Sequence, residues 1–207
     1  MINKQEKYYH INKRIIDLSI SFCAILFLIF PFFILVFFLA IYFKGNPFYL
    51  AKRGGIHGEI IKVYKLRTMT NEKDVNGNLL PDEQRITKFG MLLRQYSIDE
   101  LPQFLNVFIG NMSLVGPRPL DSYFLNLYTA QQRKRLDVKP GITGLAQING
   151  RNNISWEDKF NYDLLYIRTA NLKLDFFIIL KTIILVINRK GVSQDGYINA
   201  GKFTGKG

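Results

Sequence analysis

From Leu18 to Phe43 the chain reads LSISFCAILFLIFPFFILVFFLAIYF, without one charged residue. That run is long enough to cross the hydrocarbon of a bilayer as a helix. It is too long for the apolar core of a cleaved signal peptide, and no small-residue cleavage site follows. Pro31 stands near its middle. A proline inside a helix removes one hydrogen bond and kinks the axis, although membrane helices tolerate it. Two topologies fit: a straight crossing, or a helix broken at Pro31 whose two ends return to one face. Lys4, Lys7, Lys13 and Arg14 precede the run, and Lys44, Lys52 and Arg53 follow it. Basic flanks prefer the cytoplasmic side, so a crossing helix would export one cluster. The charges lean towards re-entry and divide the chain into a membrane segment, 1–44, and a remainder, 45–207.

The remainder alternates shorter patterns. NPFYLAKRGG and GEIIKVYKLRTM predict two extended segments, the second placing Ile61, Val63, Tyr64 and Leu66 among Lys62, Lys65 and Arg67. Residues 70–84 are polar, with a turn at Asn76-Gly77. ITKFGMLLRQY predicts a short helix, and LPQFLNVFIGNMS a second that ends at Gly110-Asn111. VGPRPLD, with two prolines, is extended or turning. DSYFLNLYTAQQRKRL reads as an amphipathic helix, and KPGITGLAQINGR as a Gly-rich loop that brings backbone close to something. Ser155 caps a further helix. Leu172–Ile187 is apolar but carries Lys173, Asp175 and Lys181, so its charge-free part is too short to span. It suits an interfacial helix, or one packed under the rest of the chain. The tail from Gly191 has turn composition. The pattern as a whole is α+β and mainly helical, with a small sheet.

Composition narrows the partners. The net charge is +12 over 207 residues, which favours anionic partners: nucleic acid, anionic lipid or phosphorylated small molecules. Cys23 is the single cysteine, which excludes an intrachain disulfide and a Cys-based zinc site, and the isolated His10 and His57 argue against a His-ligated one. Any metal would be a hard cation held by carboxylates and phosphate oxygens.

YSIDELPQFLN contains the most informative acids, Asp99 and Glu100. Ser97-x-x-Glu100 fits a capping box, which would make the pair structural. Pro102 argues against a helix beginning at Ser97, because it would then fall past the first turn and forfeit a hydrogen bond. A helix starting at Asp99 or later puts the proline in the first turn, where its missing N–H costs nothing. Asp99 then sits at the positive helix end, which keeps it ionised as a nucleophile or metal ligand. Basic residues supply a complementary half: Lys65 and Arg67 on the second extended segment, Arg94 just before the pair, and Arg118 locked between Pro117 and Pro119.

KLRTM, SIDELPQFLNVFIGNMSLVGPRP and KPGITGLAQINGR together resemble the signature blocks of the bacterial sugar transferases, the monotopic phosphoglycosyl transferases. ISWEDKFNYDLLYI and the tail look like the small single-domain branch. The resemblance covers nearly the whole chain. It implies transfer of a phospho-sugar from a UDP-sugar to polyprenyl (undecaprenyl) phosphate, releasing UMP, through a covalent aspartyl intermediate with Mg²⁺. It implies that Asp99 is the nucleophile and Glu100 its partner, both near the metal, and that Arg118 belongs to the Pro-Arg-Pro motif. Lys65, Arg67, Arg94 and, at the end of the Gly-rich loop, Arg151 would bind phosphate or nucleotide. It also implies a re-entrant helix broken at Pro31, amphipathic interfacial helices, and a catalytic domain on the cytoplasmic face of a bacterial inner membrane with both termini cytoplasmic. The implied partners are the two substrates, membrane lipids and other enzymes of the same glycan pathway, with no nucleic acid. The implied sugar is an N-acetylated amino sugar.

Two positions depart from the family pattern. Phe30 replaces the serine often found before the proline, leaving the break to Pro31 and contacts of Ser19 or Ser21. Asn111 stands where the family commonly has aspartate, so no third carboxylate is available there. Two other classes compete: a Mg²⁺-dependent phosphohydrolase acting on a lipid phosphate, and a membrane-anchored nucleic-acid binder. The latter lacks a recognition motif, and Glu72, Asp74, Asp82 and Glu83 interrupt its basic field.

Overall fold

The computed structural model describes residues 4–150, 153–188, 203 and 205. Among them it is a mainly helical α+β structure with two small sheets. Helix α1 runs from Lys4 to Tyr42 with Pro31 inside it. The break expected at Pro31 does not appear: one helix runs uninterrupted through the proline, which membrane helices tolerate. Ser21 donates to the Leu18 carbonyl, a turn of helix remote from the proline.

Both halves of α1 rest on the rest of the protein. In the first half, Lys13 pairs with Asp175 at 2.7 Å, Arg14 donates to the carbonyls of Val107 and Phe108, and the buried Asp17 accepts from the Leu114 N–H. In the second half, Leu39 is fully buried against Leu66 and Leu93, with Leu35, Val36 and Phe43 beside it. Between them the helix is bare: Phe27 is 83% exposed and Phe30 74%.

Strands β1 (Phe48–Gly54) and β2 (Ile60–Leu66) pair antiparallel, Phe48 opposite Leu66, as the two extended segments predict. After the short helix α2 (Asp82–Arg85), α3 (Lys88–Gln95) starts at Thr87, whose hydroxyl accepts from the Gly90 N–H. Gly90 lies so close to the Thr68 backbone that a Cβ there would collide with it. Helix α4 (Gln103–Ile109) ends at Gly110, in the left-handed region at φ 103°. Its buried Asn106 accepts from the Tyr64 N–H and donates to the Lys62 carbonyl and the Asn111 side chain, fastening α4 along β2.

Strand β3 (Ser113–Val115) pairs parallel with β4 (Gly141–Thr143). DSYFLNLYTAQQRKRL is not one amphipathic helix. It breaks into a 3-10 turn at Ser122–Asn126, helix α5 (Ala130–Arg133) and a second 3-10 turn at Lys134–Leu136. The Thr129–Gln132 capping box starts a fresh helix in mid-segment, and Arg135 then turns inward to bond Asp163. The Gly-rich stretch is more ordered than a loop. It contributes β4 and helix α6 (Leu145–Ile148). What it approaches is Gly116, whose backbone leaves no room for a Cβ at Gly141 or Gly144.

Helix α7 (Trp156–Thr169) is capped by Ser155, and α8 (Leu172–Ile187) by Asn171. Ile178 and Asp175 of α8 are buried, while Phe176, Leu180 and Ile184 are exposed. The main core joins Ala51, Val63, Val107, Met112, Val115, Tyr166 and Ile178. A separate aromatic cluster joins Phe124, Phe160 and Phe203, with Trp156 and Tyr128 against it.

Candidate active site

The acidic pair lies on a 3-10 turn, Ile98–Glu100, immediately before Pro102 and α4. Ser97 enters it at φ 56°, in the left-handed region, and its side chain caps nothing. The capping box is therefore absent. Glu100 instead reaches across the site. Lys65 Nζ donates to its Oε1 at 2.8 Å, Arg118 Nη2 to the same oxygen at 2.6 Å, and Arg118 Nη1 to Oε2 at 3.3 Å. Strand β2 carries Lys65, the 3-10 turn carries Glu100, and the Pro-Arg-Pro segment after β3 carries Arg118. Three elements thus converge on one carboxylate. Burial alone would push the Glu100 carboxyl up, but Arg118 and Lys65 outweigh it and hold the group far below the usual carboxylate range.

Asp99 has the opposite surroundings. It is 7% exposed, and among the described residues nothing donates a hydrogen bond to its carboxylate. Burial first, and then the neighbouring Glu100 charge, push its carboxyl up to about 6, against the pull of Lys65, Arg94 and Arg118. This corrects the expectation that the helix end keeps Asp99 fully ionised. Helix α4 has only seven residues and begins beyond Pro102, so its dipole is too weak to offset burial. At neutral pH the ionised form still leads by roughly tenfold.

The remaining basic residues divide. Arg94 donates from Nε to Thr68 Oγ1 at 3.0 Å and lies within the field of Asp99 and Glu100. Burial lowers its pKa, and those two carboxylates oppose the shift. Arg67 turns elsewhere: its Nε bonds the Met69 carbonyl and its guanidinium covers the Phe43 ring at 4.8 Å. It ties the residue after β2 to Phe43, just past the end of α1, and no bond to the acidic pair is seen. Arg151 lies outside the described residues.

Asp99 and Glu100 could hold a hard cation. No cluster of three or more His, Cys, Asp or Glu side chains occurs among the described residues. Mg²⁺ commonly needs only one or two carboxylates when substrate phosphates complete its shell. A carboxylate with a raised pKa and no hydrogen bond among the described residues, beside a second carboxylate, suits that arrangement.

The profile described as bacterial sugar transferase matches residues 8–189. The chain belongs to that family. It is 53% identical over 164 residues to the sugar transferase EpsL of Bacillus subtilis, covering 79% of this chain and 81% of that relative. It is 36% identical to the exopolysaccharide production protein ExoY of Sinorhizobium fredii, covering 87% and 88%. It is also 42% identical to the UDP-glucose:undecaprenyl-phosphate glucose-1-phosphate transferase of Klebsiella pneumoniae, covering 89% of this chain but 41% of the longer relative. Membership in the sugar transferase family favours the transferase reading over the phosphohydrolase and nucleic-acid readings.

Several residues of this sugar transferase that support the site were not singled out by the sequence. Asn106 fixes α4, and with it the acidic pair, against the strand that carries Lys65. Asp17 holds β3, which leads to Arg118. Arg135 and Asp163 form a buried pair behind the Pro-Arg-Pro segment. Asp17 and Asp163 carried a faint signal, since each is an acid set among apolar residues of a helix.

Proposed function

We propose that this protein transfers a phospho-sugar from a UDP-sugar to polyprenyl phosphate, releasing UMP, with Asp99 as the nucleophile. The observation that carries this reading is the unequal pair: Glu100 locked by Lys65 and Arg118, and Asp99 beside it with no hydrogen bond among the described residues. Asp99 Oδ attacks the sugar-bearing β-phosphorus. The new O–P bond forms as the bond to the bridging oxygen breaks, and UMP departs with that electron pair. A phosphate oxygen of polyprenyl phosphate then attacks the same phosphorus, and the aspartyl oxygen leaves. The product is a polyprenyl diphospho-sugar, and Asp99 is restored.

The other residues serve this exchange. The Arg118 side chain is 44% exposed, so its guanidinium can meet a diphosphate while still paired to Glu100. Lys65 and Arg94 add positive charge where negative charge accumulates. Asp99 and Glu100 would hold Mg²⁺, whose contribution is to neutralise the diphosphate.

The names of relatives support the substrates. Besides the Klebsiella enzyme, similar proteins are the undecaprenyl-phosphate galactose phosphotransferase of Salmonella typhimurium, 35% identical, and the UDP-galactose-lipid carrier transferase of Erwinia amylovora, 35% identical. These names point to plain hexoses, where the motif resemblance implied an N-acetylated sugar. A panel of UDP-sugars assayed for UMP release decides between them.

The same reading covers the membrane. Helix α1 is the one described helix long and apolar enough to cross. The first half bonds to and the second half packs against the same catalytic body while the middle stays bare, which supports a monotopic seat on the cytoplasmic face with Pro31 at the deepest point. The amphipathic α8 would lie at that interface with its exposed apolar residues towards lipid. The decisive experiment is trapping. Protein incubated with UDP-sugar and no acceptor is expected to release UMP and gain the mass of one phospho-sugar on Asp99. UMP release without the adduct would overturn the covalent route, and no release from any UDP-sugar would overturn the transferase reading.

A further inference from the structure

Behind the Pro-Arg-Pro segment lies a polar assembly that the chemistry above does not use. Arg135 is 4% exposed and Asp163 3%. Arg135 donates from Nε and Nη2 to Asp163 Oδ2, at 3.0 and 2.7 Å. Its Nη1 reaches the Tyr128 hydroxyl at 3.1 Å, and its Nη2 also reaches the backbone carbonyl of Arg118 at 2.7 Å. The rings of Tyr128 and Phe160 each lie 5.7 Å from the guanidinium carbon.

Such a pair is poorly explained by stability alone. Removing two charges from water costs several kcal/mol per ion, and well-packed apolar replacements are often as stable or more so. What apolar side chains cannot supply is a directed bond to the Arg118 carbonyl. Proline flanks fix the φ angles at 117 and 119, and Pro119 biases Arg118 to extended ψ, but the ψ of Pro117 and the φ of Arg118 remain adjustable. The Gly141 N–H holds the Pro117 carbonyl at 2.9 Å, and Arg135 holds the next carbonyl along. With two successive peptide groups fastened, the Arg118 side chain has a fixed origin from which to reach Glu100.

We propose that Arg135, oriented by Asp163 and Tyr128, is a positioning residue for Arg118. It touches neither Glu100 nor the reacting atoms and acts through the Arg118 backbone alone. The proposal rests on the reading of Arg118 as a phosphate-binding residue. Lysine cannot replace it, because one ammonium on a flexible stem cannot satisfy Asp163, Tyr128 and the carbonyl in the planar arrangement of a guanidinium.

The test is a cycle of Arg135→Lys and Arg118→Ala in the full-length protein, read by UMP release, thermal melting and hydrogen exchange without substrate. Arg135→Lys is expected to lower kcat by about tenfold or more with a small change in KM, since small misplacements of a binding group are costly in the transition state. In the Arg118→Ala background the same substitution is expected to cost less than about twofold, because positioning has nothing left to position. Exchange should rise at the Gly116 and Gly141 amides, which bond the Thr143 and Pro117 carbonyls, and stay unchanged over 103–109. An equal loss in both backgrounds, or unchanged exchange at Gly116 and Gly141, overturns the proposal. Exchange is read whether or not UMP is released, so failure of positioning stays distinct from failure of the transferase reading. If Arg135→Lys does not fold, Asp163→Asn serves instead. It keeps the shape, loosens the guanidinium, and should show the same dependence on Arg118 with a smaller loss.

Discussion

Two carboxylate–arginine systems meet at the Pro-Arg-Pro segment, one buried and one open to solvent, and they are built to different degrees of completion. In the Arg135–Asp163 system both charges are buried, and the guanidinium is shared among a carboxylate, a hydroxyl and a carbonyl. At the acidic pair, two cations spend themselves on Glu100 and leave Asp99 with no direct bond among the described residues. A fully satisfied buried ion pair is rigid and inert. A carboxylate denied its own partner retains lone pairs for a phosphorus or a cation. The contrast predicts that substitutions on one side remove chemistry and on the other remove order.

The largest effect is expected at Asp99. Asp99→Asn keeps the shape and removes the nucleophile, so UMP release should fall by at least about a thousandfold, with no phospho-sugar adduct by mass spectrometry. Retained activity would mean that the unbonded carboxylate is not the reacting one.

On the other side, Asp163→Ala strands a buried guanidinium. That should cost about 3–5 kcal/mol, measured by chemical denaturation. Replacing both partners, Arg135→Met with Asp163→Leu, should restore most of the stability while activity stays low. A double variant as unstable as the single one would show that the pair holds the fold rather than the loop.

A third substitution joins the two systems. Arg118→Ala should lower kcat about a hundredfold, in line with the loss of one donor to developing charge. It leaves Lys65 bonded to Glu100, so stability should change far less than activity.

The contrast also separates what the sequence reveals from what it does not. The long apolar run, the strands around Lys65, and helices α3, α4, α7 and α8 all follow from local pattern. Pro102 rightly excluded a helix running from Ser97, but α4 starts at Gln103, beyond the acidic pair on which the proline placed it, because Ile98–Glu100 closes into a 3-10 turn first. The β3–β4 pair escaped notice, since three residues per strand are too few to show alternation and their parallel pairing is a long-range event. Arg135 escaped for the same reason. In QQRKRL it looks like one more solvated cation, and its burial depends on Asp163 arriving from another helix. The left-handed Ser97 also defeats local reading, because Ser-x-x-Glu normally signals a cap and here Glu100 is drawn away by Lys65 and Arg118.

The smallest effect is the most direct measure of the inequality between the two acids. The folded-state pKa of Asp99 is raised from an ordinary 3.8 to about 6, so its ionisation opposes folding. Its neutral form is tolerated below its unfolded pKa, and stability is lost as pH rises through about 6. Glu100 behaves in the reverse sense. Its depressed pKa contributes stability above the ordinary glutamate range, lost only as pH falls towards its folded value. Asp99→Asn should therefore be more stable than the natural protein at pH 8, by about 2–3 kcal/mol, and no more stable at pH 4. Glu100→Gln should be less stable at pH 8, because it leaves Lys65 and Arg118 without their carboxylate. Activity should follow Asp99 alone, with a rate that falls about tenfold per pH unit below 6. Melting curves of the two variants at both pH values measure this directly. If Asp99→Asn and Glu100→Gln shift stability in the same direction at pH 8, the two carboxylates are equivalent and the asymmetry assigned to them is wrong.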